Sequence, residues 1–375
     1  PGAMTMAGNV VPGSANYTYH PDNGLWIAHL FYRHWRYTLD EQFLRDRAYP
    51  YCRSLAEAAL ELLSRDDAGY WRFDWSVSPE LGDDWPESYF AELTAYDNAC
   101  LCACFANLAE MAGAVGDTVA VRRWRECLSH CRPPESMTAQ YQYYLYDKTV
   151  LGLQPGTALP CSHRHFSHLM AFYPFDLPDY EHDEAWRELV ENSFSQLDLL
   201  GTGQWVGFSF SQMAVMAARA GWPVKARRFL GDFIRGFTFI NGLHCNGDYR
   251  NFGFSAYKYR PFTLEGNFLA QEAIHELLLS ESHGVLRFFP GAEVLGDAEF
   301  AGLRAPGALL VDGVLKAGRI VKIVLHAEKS HPCTFANSGQ RRWQIAAGGE
   351  DRIADGAEIT VTPSPGCPLT LTLAD

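Results

Sequence analysis

Residues 41–64 read EQFLRDRAYPYCRSLAEAALELLS, and this stretch decides the class of fold. Its apolar side chains recur every three or four positions, at Phe43, Leu44, Ala48, Tyr51, Cys52, Leu55, Ala59, Leu62 and Leu63. That period is typical of an amphipathic helix with one face against a core. Asp40, directly before the stretch, is a suitable N-cap. The stretch therefore predicts a helix.

The same pattern recurs from Gly24 to about Ser280 and predicts a mainly α chain. Predicted helices cover residues 25–37, 41–64, 91–112, 117–131, 183–199, 209–220, 223–237 and 265–282. Alternately short and long loops join them, which favours a helical toroid whose long loops collect over one face. With one element more or fewer allowed for uncertain boundaries, these ranges give about nine helices. A complete six-pair toroid needs about twelve. The toroid is therefore expected to be incomplete at its N-terminus.

After Gly284 the pattern changes to short strands separated by Gly, Pro and Asn-Ser-Gly turns. Predicted strands cover residues 285–290, 308–311, 320–326, 334–335, 343–345, 358–362 and 369–373. We expect a small antiparallel β domain, similar to a sandwich. The predicted domains are a partial helical toroid over residues 1–284 and a β domain over residues 285–375.

Composition excludes several classes of protein. The 375 residues carry a net charge of −13, which repels phosphate backbones, so no nucleic-acid partner is expected. No run of 18 apolar residues is present, so we expect no membrane-spanning helix. The chain has no phosphate-binding loop, no dinucleotide fingerprint and no Cys-x-x-Cys pair, and no cofactor is expected.

The ten cysteines are expected to be buried, reduced thiols. Cys100, Cys102 and Cys104 are two residues apart on a predicted helix, where side chains do not share a face. Free thiols are typical of a reducing compartment, and residues 1–18 lack the basic and apolar segments of a signal peptide. A cytoplasmic location is the resulting expectation.

Glu80 lies in a predicted loop with the sequence SVSPELGDDW (residues 76–85). Four aromatic side chains flank it in sequence: Trp71, Phe73, Trp75 and Trp85. A carboxyl group among aromatic rings tends to have a raised pKa, which suits a general acid. The alternative is an ordinary carboxylate at a helix start or on the surface.

Glu265 lies in RPFTLEGNF (residues 260–268), at the start of a predicted helix. Gly266 permits close approach of a ligand to the backbone, although a carboxylate that only complements the helix dipole is the alternative. Two carboxylates on separate loops of one face are what an inverting glycosidase needs, at a separation of roughly 6.5–9.5 Å. Glu80 and Glu265 are the catalytic candidates.

His163, His165 and His168 lie in SHRHFSH (residues 162–168). His-x-His-x-x-His opens some metallohydrolase sites, but those usually add an Asp where Ser167 stands. Binding of sugar hydroxyls is the other interpretation. Aromatic residues make up 14% of the chain and suit sugar stacking as well as core packing. Trp26 and Trp205 are candidates for either role.

Several segments, taken in order, resemble the family 95 glycoside hydrolases. They are DNGLW (22–26), SPE (78–80), HRHFSHL (163–169), EGNF (265–268) and GLRA (302–305). The resemblance implies an (α/α)6 toroid and inverting hydrolysis of α-L-fucosides or α-L-galactosides in plant or host oligosaccharides or polysaccharides. It also implies that Glu80 is the general acid and that Glu265 helps to activate water.

The resemblance further implies that Trp26 and either His163 or His165 contact the sugar. Asn267 and Trp205 are added as substrate-binding candidates. In the family an Asp stands where this chain has Glu265, and the longer side chain shifts the carboxylate by about 1 Å.

The family's N-terminal β domain and its pair of water-positioning asparagines have no counterpart in this sequence. The chain is therefore expected to lack an N-terminal segment or domain. The alternatives to an active glycosidase are an impaired sugar-binding homologue and a metallohydrolase built on the three histidines.

Overall fold

A computed structural model of the chain describes residue 20, residues 22–82 and residues 88–374. Trp85, one of the aromatic neighbours predicted for Glu80, lies outside the described residues. The chain divides into two compact units. Unit 1 comprises residues 1–35 and 40–201, and unit 2 comprises residues 36–39 and 202–375.

The described part of unit 1 is mainly helical. Its helices are α1 (Asn23–Thr38, whose last turn belongs to unit 2), α2 (Glu41–Phe43), α3 (Tyr49–Leu60), α4 (Ala95–Val115), α5 (Thr118–Ser129) and α6 (Glu184–Leu200). A π-helical turn, Leu44–Ala48, joins α2 to α3. The side chains of Asp40, Thr94, Asp117 and Asp183 each accept a backbone N–H at the start of a helix, as N-caps do.

Unit 1 also contains strands that were not predicted. β1 (Leu63–Arg65) pairs with β2 (Trp71–Phe73), so the helix predicted to run to residue 64 ends at Leu60. β3 (Thr138–Tyr143) and β4 (Tyr146–Leu151) form an antiparallel hairpin in a segment predicted to be irregular. Strand β3 does alternate Thr138, Gln140 and Gln142 with Ala139, Tyr141 and Tyr143, so the period of two was present in the sequence and was overlooked.

Helix α4 forms much of the core of unit 1. By length and mean hydropathy it is able to span a membrane, contrary to the expectation from counting consecutive apolar residues. However, 61% of its most apolar window is buried inside the protein, and no other helix of the described residues meets the same criteria. Burial of this extent is typical of a core helix, so α4 is weak evidence for a membrane span.

Unit 2 begins with three helices, α7 (Gly207–Arg219), α8 (Pro223–Phe237) and α9 (Glu265–Leu278). The helix predicted over residues 265–282 is four residues too long, because Leu279–Ser282 forms strand β5 and pairs with β6. The change from helix to strand thus falls at Leu279. A domain boundary at Gly284 stays a prediction.

The β domain contains two sheets and the short helix α10 (Ala292–Leu295). One sheet has the strand order β13-β10-β6-β5 and the other has the order β12-β11-β14-β9-β8-β7. The remaining strands are β6 (Val285–Phe288), β7 (Ala298–Ala305), β8 (Leu309–Lys316), β9 (Arg319–Ala327), β10 (Cys333–Ala336), β11 (Trp343–Ala347), β12 (Glu350–Ala354), β13 (Glu358–Val361) and β14 (Leu369–Leu373). The sheets are not wholly antiparallel as predicted, since β10 and β6 run parallel.

Side chains from both sheets form one buried apolar cluster. Phe335 lies within it, is fully buried, and packs its ring at 5.4 Å from Phe288 and 5.6 Å from Trp343. Alternate residues of β8 point into the cluster, so the strand period of two decides which side chains are buried.

Phe335→Ala is expected to lower the free energy of unfolding by about 3–5 kcal/mol, because it leaves a cavity in this cluster. Urea unfolding followed by circular dichroism measures the change. Phe268→Ala removes the same side chain where it is 63% exposed, so it serves as the matched control and is expected to cost much less. Equal losses in the two variants would contradict the described packing.

Candidate active site

Glu80 is held in a left-handed backbone conformation with φ of 55°. Such a conformation costs roughly 1–2 kcal/mol for a residue with a Cβ, and it persists only where neighbours enforce it. Several contacts do so within the Glu80 segment (residues 76–80). The Ser78 hydroxyl contacts that of Ser167 at 2.6 Å, and Thr94 donates its hydroxyl to the carbonyl of Val77 at 3.0 Å.

The Glu80 carboxylate is bound by a guanidinium and an imidazole. His165 Nε2 lies 2.8 Å from Glu80 Oε2, and the Arg164 guanidinium forms an ion pair with the same oxygen. The Glu80 side chain remains 30% exposed, so solvent or a ligand reaches it. The arrangement is a carboxylate held in place by donors but still accessible.

These contacts lower the pKa of Glu80 to about 2. The largest cause is the hydrogen bond from His165, and the positive charges of His165 and Arg164 add to it, while partial burial acts in the opposite direction. The raised pKa expected from the aromatic neighbours is therefore wrong for the unliganded protein. The sequence suggested that aromatic rings surround the carboxyl group of Glu80. The groups that lower its pKa are instead His165 and Arg164.

His163 holds the backbone of Glu80 rather than its side chain. The backbone N–H of His165 donates to His163 Nδ1 at 3.2 Å, so the ring proton is assigned to Nε2. Nε2 then donates to the carbonyl of Glu80 at 3.1 Å. His163 is only 5% exposed, and burial is the main cause of its lowered pKa. A neutral ring with both nitrogens engaged supports the segment, whereas His165 is the histidine that remains accessible.

His168 lies apart from this arrangement. Its ring is buried, burial lowers its pKa to about 3, and neither ring nitrogen has a hydrogen-bond partner among the described residues. No group of three His, Cys, Asp or Glu side chains in the described ranges is arranged to hold a metal ion. The three histidines therefore serve different purposes, and the geometry does not favour the metallohydrolase alternative.

Trp26 lies in the first turn of α1 and is 39% exposed. It contacts the buried Tyr96 edge-on at 6.1 Å, and Tyr96 donates its hydroxyl to Asn23 at 3.0 Å. This packing fixes the indole on one edge and leaves part of it open to solvent. Trp26 therefore stays a candidate for sugar stacking.

In unit 2, Glu265 is the first residue of α9, and its Oε2 accepts the backbone N–H of Leu264 at 3.1 Å. The buried ring of His244 packs against this helix start. His244 Nδ1 accepts from the Thr263 hydroxyl at 2.6 Å and from the Gly266 N–H at 3.3 Å. Burial lowers the pKa of His244 to about 4, so the ring is neutral at pH 7.

Gly266 is required for a reason other than the predicted approach of a ligand. A Cβ at this position would lie 2.8 Å from the ring of His244, which is too close for any side chain. The glycine thus lets the histidine ring pack directly on the backbone that follows Glu265. Gly207 faces the same ring from α7, where a Cβ would lie 2.1 Å from Nε2.

Asn267 binds the backbone of the loop that carries His244. Its Oδ1 accepts the His244 N–H at 2.8 Å, and its Nδ2 donates to the Gly242 carbonyl at 2.9 Å. Both ends of the amide are engaged within unit 2, so Asn267 supports the position of Glu265 in this state. Its predicted contact with substrate stays a prediction.

Trp205 is not a stacking platform. It is 1% exposed, and the rings of Phe210 and Phe229 lie 5.2 and 5.7 Å from it. Because a sugar cannot reach a buried indole, the substrate-binding prediction for Trp205 is wrong and the core interpretation holds.

Two residues with a direct role in this geometry were not singled out from the sequence. Arg164 stands between the two histidines and forms the ion pair with Glu80. The sequence did offer a signal for Arg164, because it lies between the candidate residues His163 and His165. A partly buried carboxylate needs a positively charged partner, and an arginine supplies one. His244 had no comparable signal, because its contacts are mostly with backbone.

Comparison with known proteins bears on the family of this chain. Residues 3–278 match the Glycosyl hydrolase family 95 catalytic domain, and the match ends at the last residue of α9. Alpha-L-fucosidase 2 of Arabidopsis thaliana is 23% identical over 326 residues, which cover 84% of this chain. The chain spans only 37% of the length of that protein.

A solved structure of a GH127 beta-arabinofuranosidase aligns with 93% of this chain and 51% of its own, at 10% identity and a TM-score of 0.26. A similarity this low does not define the fold. The family match covers well over half of the residues and includes Glu80, His165 and Glu265. The chain belongs to glycosyl hydrolase family 95.

Proposed function

We propose that this chain carries the site of an inverting exo-α-L-glycosidase that acts on α-L-fucosides or α-L-galactosides in oligosaccharides or polysaccharides. Glu80 is the general acid and Glu265 the carboxylate that activates water. The observation that carries the proposal is the accessible Glu80 carboxylate, bound by Arg164 and His165 on a backbone of positive φ. The relative from Arabidopsis thaliana, named an alpha-L-fucosidase, supports the choice of sugar.

Glu80 must gain a proton before it can act as an acid. In the unliganded site its hydrogen bond with His165 and its pairing with Arg164 keep it ionised. If sugar hydroxyls bind to His165 and Arg164, the N–H groups of these side chains would no longer donate to Glu80. A bound sugar ring would also exclude water from the Glu80 carboxyl group. Both changes raise the pKa of a carboxyl group, so substrate binding itself generates the acid.

Inversion further requires a second carboxylate roughly 6.5–9.5 Å from the first, with room for a water molecule. Glu265 is the candidate, next to the neutral ring of His244. A second function, sugar binding without hydrolysis, is favoured by one observation. The Glu265 carboxylate accepts the N–H of the preceding residue, and it stands in place of the shorter family Asp.

Glu80→Gln is expected to lower kcat/KM by about 10²–10⁴-fold on methyl α-L-fucoside, because an alkoxide leaving group needs a proton. On α-L-fucosyl fluoride the loss should be far smaller, since fluoride leaves with little protonation. Glu126→Gln, an exposed carboxylate of α5, is the control and should leave both rates unchanged. Equal losses on both substrates would remove Glu80 from the acid role.

Glu265→Gln is expected to lower kcat/KM by about 10²-fold or more on both substrates, because every leaving group requires an activated water. Proton NMR of the first product should give the β-anomer of L-fucose. Full activity of Glu265→Gln contradicts the assignment. If the wild type binds L-fucose in calorimetry but hydrolyses neither substrate, and Glu265→Asp gains activity, the chain is the impaired homologue.

A further inference from the structure

Unit 1 contains a pair of buried aspartates that the proposed chemistry does not use. Asp22 directly precedes α1, Asp97 lies in the first turn of α4, and both side chains are fully buried. Each carboxyl group shifts the pKa of the other, since Asp97 lowers that of Asp22 and Asp22 raises that of Asp97. Both oxygens of Asp22 and Oδ1 of Asp97 have no protein N–H or O–H donor among the described residues.

Two ionised carboxylates close together in a protein core repel each other and lose their hydration, so at least one of the two holds a proton. Burial is the main cause of the raised pKa of Asp22 and of Asp97, and each carboxyl affects the other. His20 Nδ1 is 3.9 Å from Asp22 Oδ1, a distance too long for a hydrogen bond. Among the described residues, Tyr96 and Cys100 of α4 also face the pair, and burial raises the pKa of both.

The pair is connected to the Glu80 segment through Ser76. The Ser76 hydroxyl donates to Asp97 Oδ2 and accepts the backbone N–H of Thr94 at 2.8 Å. Thr94 in turn donates its hydroxyl to the carbonyl of Val77 at 3.0 Å. Asp97 therefore holds the Glu80 segment at Ser76. Ser167 holds the same segment at Ser78, and His163 holds it at the Glu80 carbonyl.

We propose that Asp97 is a positioning residue that shares one proton with Asp22 and, through Ser76, keeps Glu80 aligned for proton donation. Asp97 contacts Ser76 and Thr94 rather than Glu80 itself. The inference rests on the proposed role of Glu80 as the acid. It adds that the shared proton, rather than an ionised aspartate, is what keeps the segment in place.

The first test compares leaving groups. Asp97→Ala removes the acceptor for Ser76, and we expect about a tenfold loss of kcat/KM on methyl α-L-fucoside, the equivalent of one buried hydrogen bond, with little loss on the fluoride. Asp97→Asn keeps an acceptor for Ser76 and supplies an N–H to Asp22, so it should stay within about threefold of the wild type on both substrates.

Asp183→Ala is the matched control, because it also removes an aspartate from the start of a helix in unit 1 but has no contact with the Glu80 segment. A merely structural role predicts that Asp97→Ala behaves like Asp183→Ala, with equal effects on both substrates, and that result overturns the inference. If Glu80→Gln itself shows no dependence on the leaving group, the proposed function fails instead. The two failures are therefore distinguishable.

The second test does not require activity. A carboxyl whose pKa is raised on folding binds its proton more tightly in the folded state, so its stabilisation is complete below the ordinary Asp pKa and is lost as pH rises through the folded value. Between pH 5 and pH 8 the urea midpoint of the wild type should fall more steeply than that of Asp97→Asn. Parallel curves for the two proteins would show that no proton is shared, and would overturn the inference.

Discussion

The binding of one carboxylate by a guanidinium and an imidazole is the interaction on which the candidate site of unit 1 depends. Glu80 is held at its side chain by Arg164 and His165 and at its carbonyl by His163. Those contacts require the strained backbone at Glu80, and the strain is sustained by hydroxyl contacts that begin at Ser78. Surrounding packing thus supports an ionised carboxylate that is preorganised before any substrate arrives.

In unit 2, steric packing rather than charge positions the backbone that carries the second candidate carboxylate, Glu265. The neutral ring of His244 lies against Gly207 and Gly266, positions at which any Cβ would collide with it. Asn267 fixes the loop that carries the histidine, and Glu265 begins the adjoining helix. Here the close packing of an aromatic ring on the backbone, rather than charge, determines the position of the helix start that carries Glu265. The two carboxylates therefore differ in what holds them, since charged and hydrogen-bonding side chains hold Glu80 and close packing on backbone holds the start of the helix at Glu265.

The sequence predicted the helices well and the site only in part. Helical periodicity located α8 to the residue and α1 within two residues, whereas β5 was missed because tertiary pairing decides such a short strand. The β3–β4 hairpin was missed although the alternation of β3 was present in the sequence. Glu80 and Glu265 were singled out from their sequence surroundings, and the family resemblance added their roles and a sugar contact for His163 or His165. The lowered pKa of Glu80 and the burial of Trp205 were not predictable, since both depend on neighbours distant in sequence.

Contacts with His165 and Arg164, rather than the flanking aromatic rings, lower the pKa of Glu80. Carbon-13 NMR titration of the Glu80 side-chain carboxyl, assigned with the Glu80→Gln variant, measures this directly. We expect a pKa of about 2 for Glu80 without added sugar and a higher value when L-fucose is bound. A pKa at or above the ordinary glutamate value without ligand would contradict it.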